Sequence, residues 1–316
     1  MRATKFGRPL PPGGTVGVFA PSGPFDNRSD VLRCVEWWQE RGYQVKLTDS
    51  VWARDDYVAG DPELRVGDMH ELFKDDDIDI IHCLWGGVGA IEMLPLIDYD
   101  LVADKPKALM GFSDITNLHV SLLQESGLCT FHGPGFGSMG AANRAAFTLD
   151  SAMRAFSKGG VGEVPRNPDD NWIRTIAPGK VTAPIVGGNF YTLNHLMGTP
   201  WHPKLDGAIL MMEEVDQRTI HFDVMFWQMR LSGFFDNVAG VVVSQLEGCG
   251  KPDPEVIRDR SLEDTLEEHL GALGVPVTYG LPLGHGTHLA SIPFGVMATL
   301  DANNRTLTID EPGVRA

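Results

Sequence analysis

A chain of 316 residues, 43% hydrophobic and 22% charged, has the make-up of ordinary globular protein and the length of two domains. Its net charge of −16 argues against nucleic acid or an anionic membrane as partner, because binding phosphate needs clustered Lys and Arg. The four cysteines, Cys34, Cys83, Cys129 and Cys249, form no CxxC pair and read as mostly buried, reduced thiols. Met1–Lys5 is not followed by an apolar run of signal-peptide length, and no stretch is apolar for long enough to span a bilayer, so a cytoplasmic protein is expected. The longest acidic run, Asp75–Asp77, reads as a solvated loop or helix end.

In chain order, Thr15–Ala20 is a short apolar strand closed by Pro21-Ser22-Gly23-Pro24. Asp30–Arg41 carries Val31, Cys34, Val35 and Trp38 on one helical face, and Gly42 stops it. Tyr43–Leu47, Ile78–Leu84 and Ala108–Met110 read as further strands, the last followed by a helix over Asp114–Glu125. Strand and helix in alternation predict right-handed βαβ units and a parallel sheet. Pro165–Pro178 is polar, lacks either period, and reads as a linker. Beyond it, strands at Ile209–Met212, Val238–Val243 and Pro276–Tyr279 alternate with helices at Thr219–Leu231 and Leu262–Leu270, a second α/β unit. The predicted organisation is an N-terminal domain over 1–164, a linker over 165–180 and a C-terminal domain over 181–316.

Five segments could carry chemistry. In Met110-Gly111-Phe112-Ser113-Asp114-Ile115-Thr116 an apolar strand runs through Gly and Ser into a helix, the sharp turn a nucleophilic Ser needs. The competing reading makes Ser113 a helix cap, since only half of a G-x-S-x-G pattern is present. Trp85-Gly86-Gly87-Val88-Gly89-Ala90 offers glycines where a backbone N–H could meet a ligand or an oxyanion, or merely a tight turn. It lacks G-x-G-x-x-G spacing, and no phosphate-loop motif occurs anywhere. Pro184–Asn189 and Gly198-Thr199-Pro200-Trp201 read, by themselves, only as turns. Glu213 and Glu214 stand where a strand ends, where an acid can orient a His; an exposed charge pair is the alternative. His285 lies between Gly284 and Gly286, with His288 a competitor. A zinc pair is poorly supported by that spacing, and His119, His132 and His195 read as packing or supporting histidines.

Taken in order, Val18–Pro24, Gly86–Gly89, Gly111–Thr116, Phe131-His132-Gly133-Pro134, Gly187-Gly188-Asn189, Gly198–Trp201, the Glu213 segment, Gly284-His285-Gly286 and Ile292-Pro293-Phe294-Gly295 resemble the LD-carboxypeptidase family of serine peptidases, including its microcin C self-immunity branch. The resemblance runs nearly the whole chain. It implies a flavodoxin-like, parallel-sheet N-terminal domain and a smaller swivelling α/β C-terminal domain, with the active site between them. It implies Ser113 as nucleophile, Glu213 as orienting acid, His285 as base, and the backbone N–H groups of Gly87 and Asp114 as oxyanion donors. No metal or organic cofactor is implied. The implied substrate is a small peptide, cut at the L,D bond of a muropeptide before a terminal D-Ala, or a toxic peptide-nucleotide of the microcin C kind; a homodimer is compatible with it. Trp85 stands where many muropeptide-cleaving members have Arg. Asp98-Tyr99-Asp100 and the Gly187-Gly188-Asn189 segment look closer to the immunity branch, in which an aromatic such as Trp172 could stack on a base. The rival class is a non-catalytic small-molecule binder; a nucleotide-dependent enzyme is disfavoured by the missing phosphate loops.

Overall fold

A computed structural model describes residues 3–141, 145–170, 172–251 and 260–315, so residues 1, 2 and 171 of the stretches discussed above lie outside the described residues. The strands, in chain order, are β1 (Thr15–Phe19), β2 (Gln44–Leu47), β3 (Ile80–Cys83), β4 (Ala108–Gly111), β5 (Phe131–His132), β6 (Gly162–Glu163), β7 (Arg174–Ala177), β8 (Lys180–Asn189), β9 (Ile209–Glu213), β10 (Gly240–Ser244), β11 (Val277–Leu281), β12 (Ile292–Pro293), β13 (Met297–Asp301) and β14 (Thr306–Ile309). The chain divides into two units. The first comprises 1–161, 291–295 and 312–316, and the second 162–290 and 296–311.

The first unit is built on a six-stranded sheet of order β12-β5-β4-β3-β1-β2. Its central strands are buried at every position of β3 and β4, which is why they read as continuous apolar runs rather than as alternating ones. Strands β1 to β5 are parallel and β12 closes one edge antiparallel to β5, so the sheet is mixed rather than wholly parallel. Helices are started by local chemistry. The Asn27 side chain accepts from Ser29 N–H ahead of the helix Arg28–Gln39, and Asp61 accepts from Leu64 N–H ahead of Pro62–Lys74, with Pro62 in its first turn.

The second unit holds an eight-stranded sheet of order β6-β14-β13-β8-β9-β10-β11-β7. Its core, β8 to β11, is parallel, and antiparallel strands flank it on both sides. Two readings change here. The stretch expected as a linker contains β7, which pairs with β11 and belongs to the sheet. Pro184–Asn189, read as turns, is the end of the ten-residue strand β8. Its glycines disguised it: a Cβ on Gly187 would sit 1.9 Å from Met211 O, so close strand contact, not a turn, demands Gly there. No helix among the described residues is long and apolar enough to cross a membrane.

Candidate active site

Strand β4 ends at Gly111, and Phe112 is the extended cap of the short 3₁₀ turn Ser113–Ile115 that leads into the helix Thr116–Glu125. The cap makes no side-chain hydrogen bond, and Ser113 is the first residue of the turn rather than its cap. Ser113 has φ 64°, left-handed backbone that a residue with a Cβ adopts at a cost of about 1–2 kcal/mol. A strand-to-helix turn strained at its Ser is the geometry that projects a nucleophile. His119 supports it from below. Burial lowers its pKa to about 3, so the neutral ring donates from Nε2 to Gly111 O at 3.0 Å and accepts the Thr130 hydroxyl at Nδ1, 2.9 Å away. His132 is also fully buried, packed edge-on to Phe112 and tilted against Phe294.

The glycine loop after β3 lies directly against this Ser. A Cβ on Gly86 would stand 3.0 Å from Ser113 Cβ and 3.3 Å from its Oγ, so a side chain there would intrude on the hydroxyl. Gly87 follows with φ 109°, a conformation open to Gly. Trp85, at the head of the loop, is partly exposed with its ring edge-on to Phe25.

In the second unit Glu213 is the last residue of β9 and is fully buried. Its Oε2 accepts from His285 Nδ1 at 2.6 Å, while Oε1 is buried with no hydrogen-bond partner. The imidazole is thus the one hydrogen-bond partner that offsets the burial of this carboxylate among the described residues. Burial disfavours the charged ring of His285, but the charge and hydrogen bond of Glu213, helped by Glu214 and Asp216, outweigh it and raise the pKa above 6.5. That bond also sets the tautomer: a neutral ring protonated at Nδ1 carries its lone pair on Nε2.

Glu214 points elsewhere. Its carboxylate accepts from Asn189 Nδ2 at 2.9 Å, Tyr191 N–H at 2.8 Å and Val215 N–H at 3.0 Å, and burial raises its pKa. It is no exposed charge; it ties β9 to the cap of the helix Phe190–His195, which Asn189 starts by accepting from Thr192 N–H. All three partners are donors, so an amide would turn its NH₂ toward at least one of them. Glu214→Gln is expected to cost about 1–3 kcal/mol. That lowers the melting temperature by roughly 2–4 °C per kcal/mol while kcat/KM falls far less than in Glu213→Gln; calorimetry beside steady-state kinetics checks both, and the reverse ranking in activity would make Glu214 the orienting acid.

His288 does not share Glu213. Its Nδ1 is 3.7 Å from Asp169, and with Asp169, Asp170, Trp172, Tyr279 and Gly286 it lines a cavity of about 300 Å³ in the second unit. Trp172 is half exposed, with its ring edge-on to Tyr279 and Arg174 above it at 5.5 Å. His195 is exposed on its short helix with its ring against Tyr191, a surface contact rather than core packing. Among the described residues no group of three His, Cys, Asp or Glu could hold a metal. Local sequence pattern gave no sign of the buried carboxylate of Asp114, of its partner Ser22 or of the buried Arg65 whose charge reaches it, since the fold alone brings them near one another.

Comparison with known proteins bears on this geometry. Residues 16–133 match the family described as LD-carboxypeptidase N-terminal domain, and residues 182–300 match LD-carboxypeptidase C-terminal domain. The chain is 31% identical to the "Probable murein peptide carboxypeptidase" of Bacillus subtilis, over 94% of this chain and 92% of that one. It is 30% identical to the murein tetrapeptide carboxypeptidase of Pseudomonas aeruginosa, over 92% and 94% of the two chains. Among solved structures, the microcin C7 self-immunity protein MccF superposes with a TM-score of 0.88 at 25% identity, covering 98% of this chain and all of that one. With both domains matched in order and relatives similar over nearly their full length, this chain belongs to the LD-carboxypeptidase family of serine peptidases.

Proposed function

We propose that the chain is a serine carboxypeptidase that cuts the L,D amide bond before a terminal D-Ala in a cytoplasmic muropeptide, with Ser113, Glu213 and His285 as its triad. The observation that carries the reading is the left-handed Ser113 at the end of β4, set against the backbone of Gly86. In the proposed reaction Ser113 Oγ attacks the scissile carbonyl carbon while His285 Nε2 takes the hydroxyl proton. The carbonyl oxygen becomes an oxyanion held by the N–H groups of Gly87 and Asp114. The C–N bond then breaks, and the imidazolium gives its proton to the departing amine. Water, deprotonated by His285, cleaves the acyl-enzyme and restores Ser113. Glu213 holds the ring throughout and stabilises its charged form.

A second substrate, a peptide-nucleotide of the microcin C kind, is favoured by Trp172. A half-exposed indole on the wall of a cavity that also includes Gly286, next to His285, offers a face for a base. Mass spectrometry after incubation with a muropeptide tetrapeptide and, separately, a processed microcin C analogue tests both. Loss of one D-Ala from the tetrapeptide is the expected result, and cleavage of the analogue alone would transfer the activity to the second substrate. If neither is cut and a fluorophosphonate fails to label Ser113, the protein is a binder and the peptidase reading falls.

A further inference from the structure

The proposed oxyanion donors come from two separate segments, the turn at Ser113-Asp114 and the glycine loop around Gly87. Something must hold these segments in register, because a donor displaced by a fraction of an ångström loses much of its effect on the transition state. The structure assigns this task to the side chain of Asp114: we propose that its carboxylate is a positioning residue that locks the glycine loop to the nucleophile turn, a role that rests on the peptidase reading above.

The geometry is specific. Asp114 is 9% exposed, and its Oδ2 accepts from Ala90 N–H at 2.8 Å and from the Ser22 hydroxyl at 2.7 Å. Ala90 closes the glycine loop. Ser22 belongs to the neighbouring Pro21-Ser22-Gly23 turn, whose Gly23 N–H donates to Gly86 O at 2.9 Å. One carboxylate oxygen therefore grips the glycine loop directly at its far end and, through Ser22 and Gly23, at its near end. The other oxygen accepts from Asn117 Nδ2 at 2.8 Å, an amide that also donates to Asp114 O at 2.9 Å and so fixes the carboxylate to its own helix.

Arg65 grips the same two segments by their carbonyls. Its fully buried guanidinium donates from Nη1 to Pro21 O at 2.8 Å and to Gly89 O at 2.9 Å, and pairs with Glu92 through Nη2. Pro21 and Gly89 each immediately precede a partner of Asp114. Donors of both loops thus meet the carboxylate, and carbonyls of both loops meet the guanidinium. Burial by itself raises the pKa of Asp114; the bonds from Ala90, Ser22 and Asn117 and the charge of Arg65 work against that rise. A carboxylate with partners in both loops, on the residue proposed to supply one donor, acts on the reaction through the position of the other.

The test is a kinetic comparison of Asp114→Ala, Asp114→Asn, Ser22→Ala and the double variant Ser22→Ala with Asp114→Ala, each with its melting temperature, on a peptide that the wild type cuts and Ser113→Ala does not. Asp114→Ala should lower kcat by about 10²-fold with KM nearly unchanged, because the loss falls on the oxyanion alone. Asp114→Asn, which keeps one oxygen facing Ser22 and Ala90, should recover part of that loss and serves if the Ala variant does not fold. Ser22→Ala should cost less, and nothing further once Asp114 is gone, as members of one network are not additive. A peptide boronate, whose tetrahedral adduct places an oxygen among the same donors, should weaken in step with kcat while product inhibition stays put. Folded Asp114 variants with wild-type kcat and boronate affinity, or a loss confined to KM, would overturn the positioning role alone. A wild type without Ser113-dependent turnover would overturn the peptidase reading as well.

Discussion

Ser113→Ala should abolish turnover while leaving the fold and melting temperature close to wild type. Loss of a triad nucleophile costs about 10⁴–10⁶ in kcat. The structural cost is small, since the Ser113 hydroxyl is not the cap of the turn and Ala meets the same left-handed φ that Ser already adopts. The experiment is steady-state turnover with circular dichroism, plus labelling by a fluorophosphonate that reacts with an activated Ser. A folded Ser113→Ala variant with even a tenth of wild-type activity would exclude Ser113 as the nucleophile.

His285→Ala and Glu213→Gln should have effects of similar rank, and their pH profiles should tell the two roles apart. His285 must be neutral to accept a proton, so kcat/KM falls as pH drops through its pKa, which Glu213 and its neighbours hold above 6.5. His285→Ala removes the base and flattens the profile at a residual rate about 10⁴–10⁶ below wild type. Glu213→Gln removes the strongest influence favouring the imidazolium and leaves burial, which disfavours it, opposed only by the weaker pull of Glu214 and Asp216. The acid limb should therefore move to lower pH while the plateau drops by about 10⁴, the loss typical of a neutralised triad acid. His288→Ala should retain most activity, because His288 faces Asp169 and not Glu213. A limb that stays put in Glu213→Gln would detach that carboxylate from the base, and reversed phenotypes of the two histidines would move the base to His288.

The parts of this architecture legible in the sequence are those encoded locally. Apolar runs such as Ile80–Cys83 and Ala108–Gly111 are buried at every position and announce themselves as inner parallel strands. The helix Thr219–Leu231 appears with the bounds its pattern predicts. Ser113 and His285 stand out because Gly and strand ends surround them. The strand β8 does not, because Pro184 and the Gly187-Gly188 pair within it read as turn residues, and β7 is a short edge strand of half-buried residues. Neither the 2.6 Å contact of Glu213 with His285 nor the carboxylate of Asp114 at Ser22 leaves a local trace, since 72 and 92 residues separate the partners. Choosing Glu213 over Glu214 from sequence rested on the family pattern; the structure separates them by what each touches, one a ring and the other three amide donors.

Strand β12 has a consequence for how the protein is made. It belongs to the first sheet, pairing with β5, yet it is translated only after β6 to β11 of the second sheet. A ribosome that has released the first half of the chain has therefore exposed β5 as an open sheet edge, with Ile292 and Pro293 still to come. The nascent N-terminal half must wait, unfinished, through the synthesis of most of its neighbour, and a stop codon placed after residue 161 would yield a sheet without its last strand.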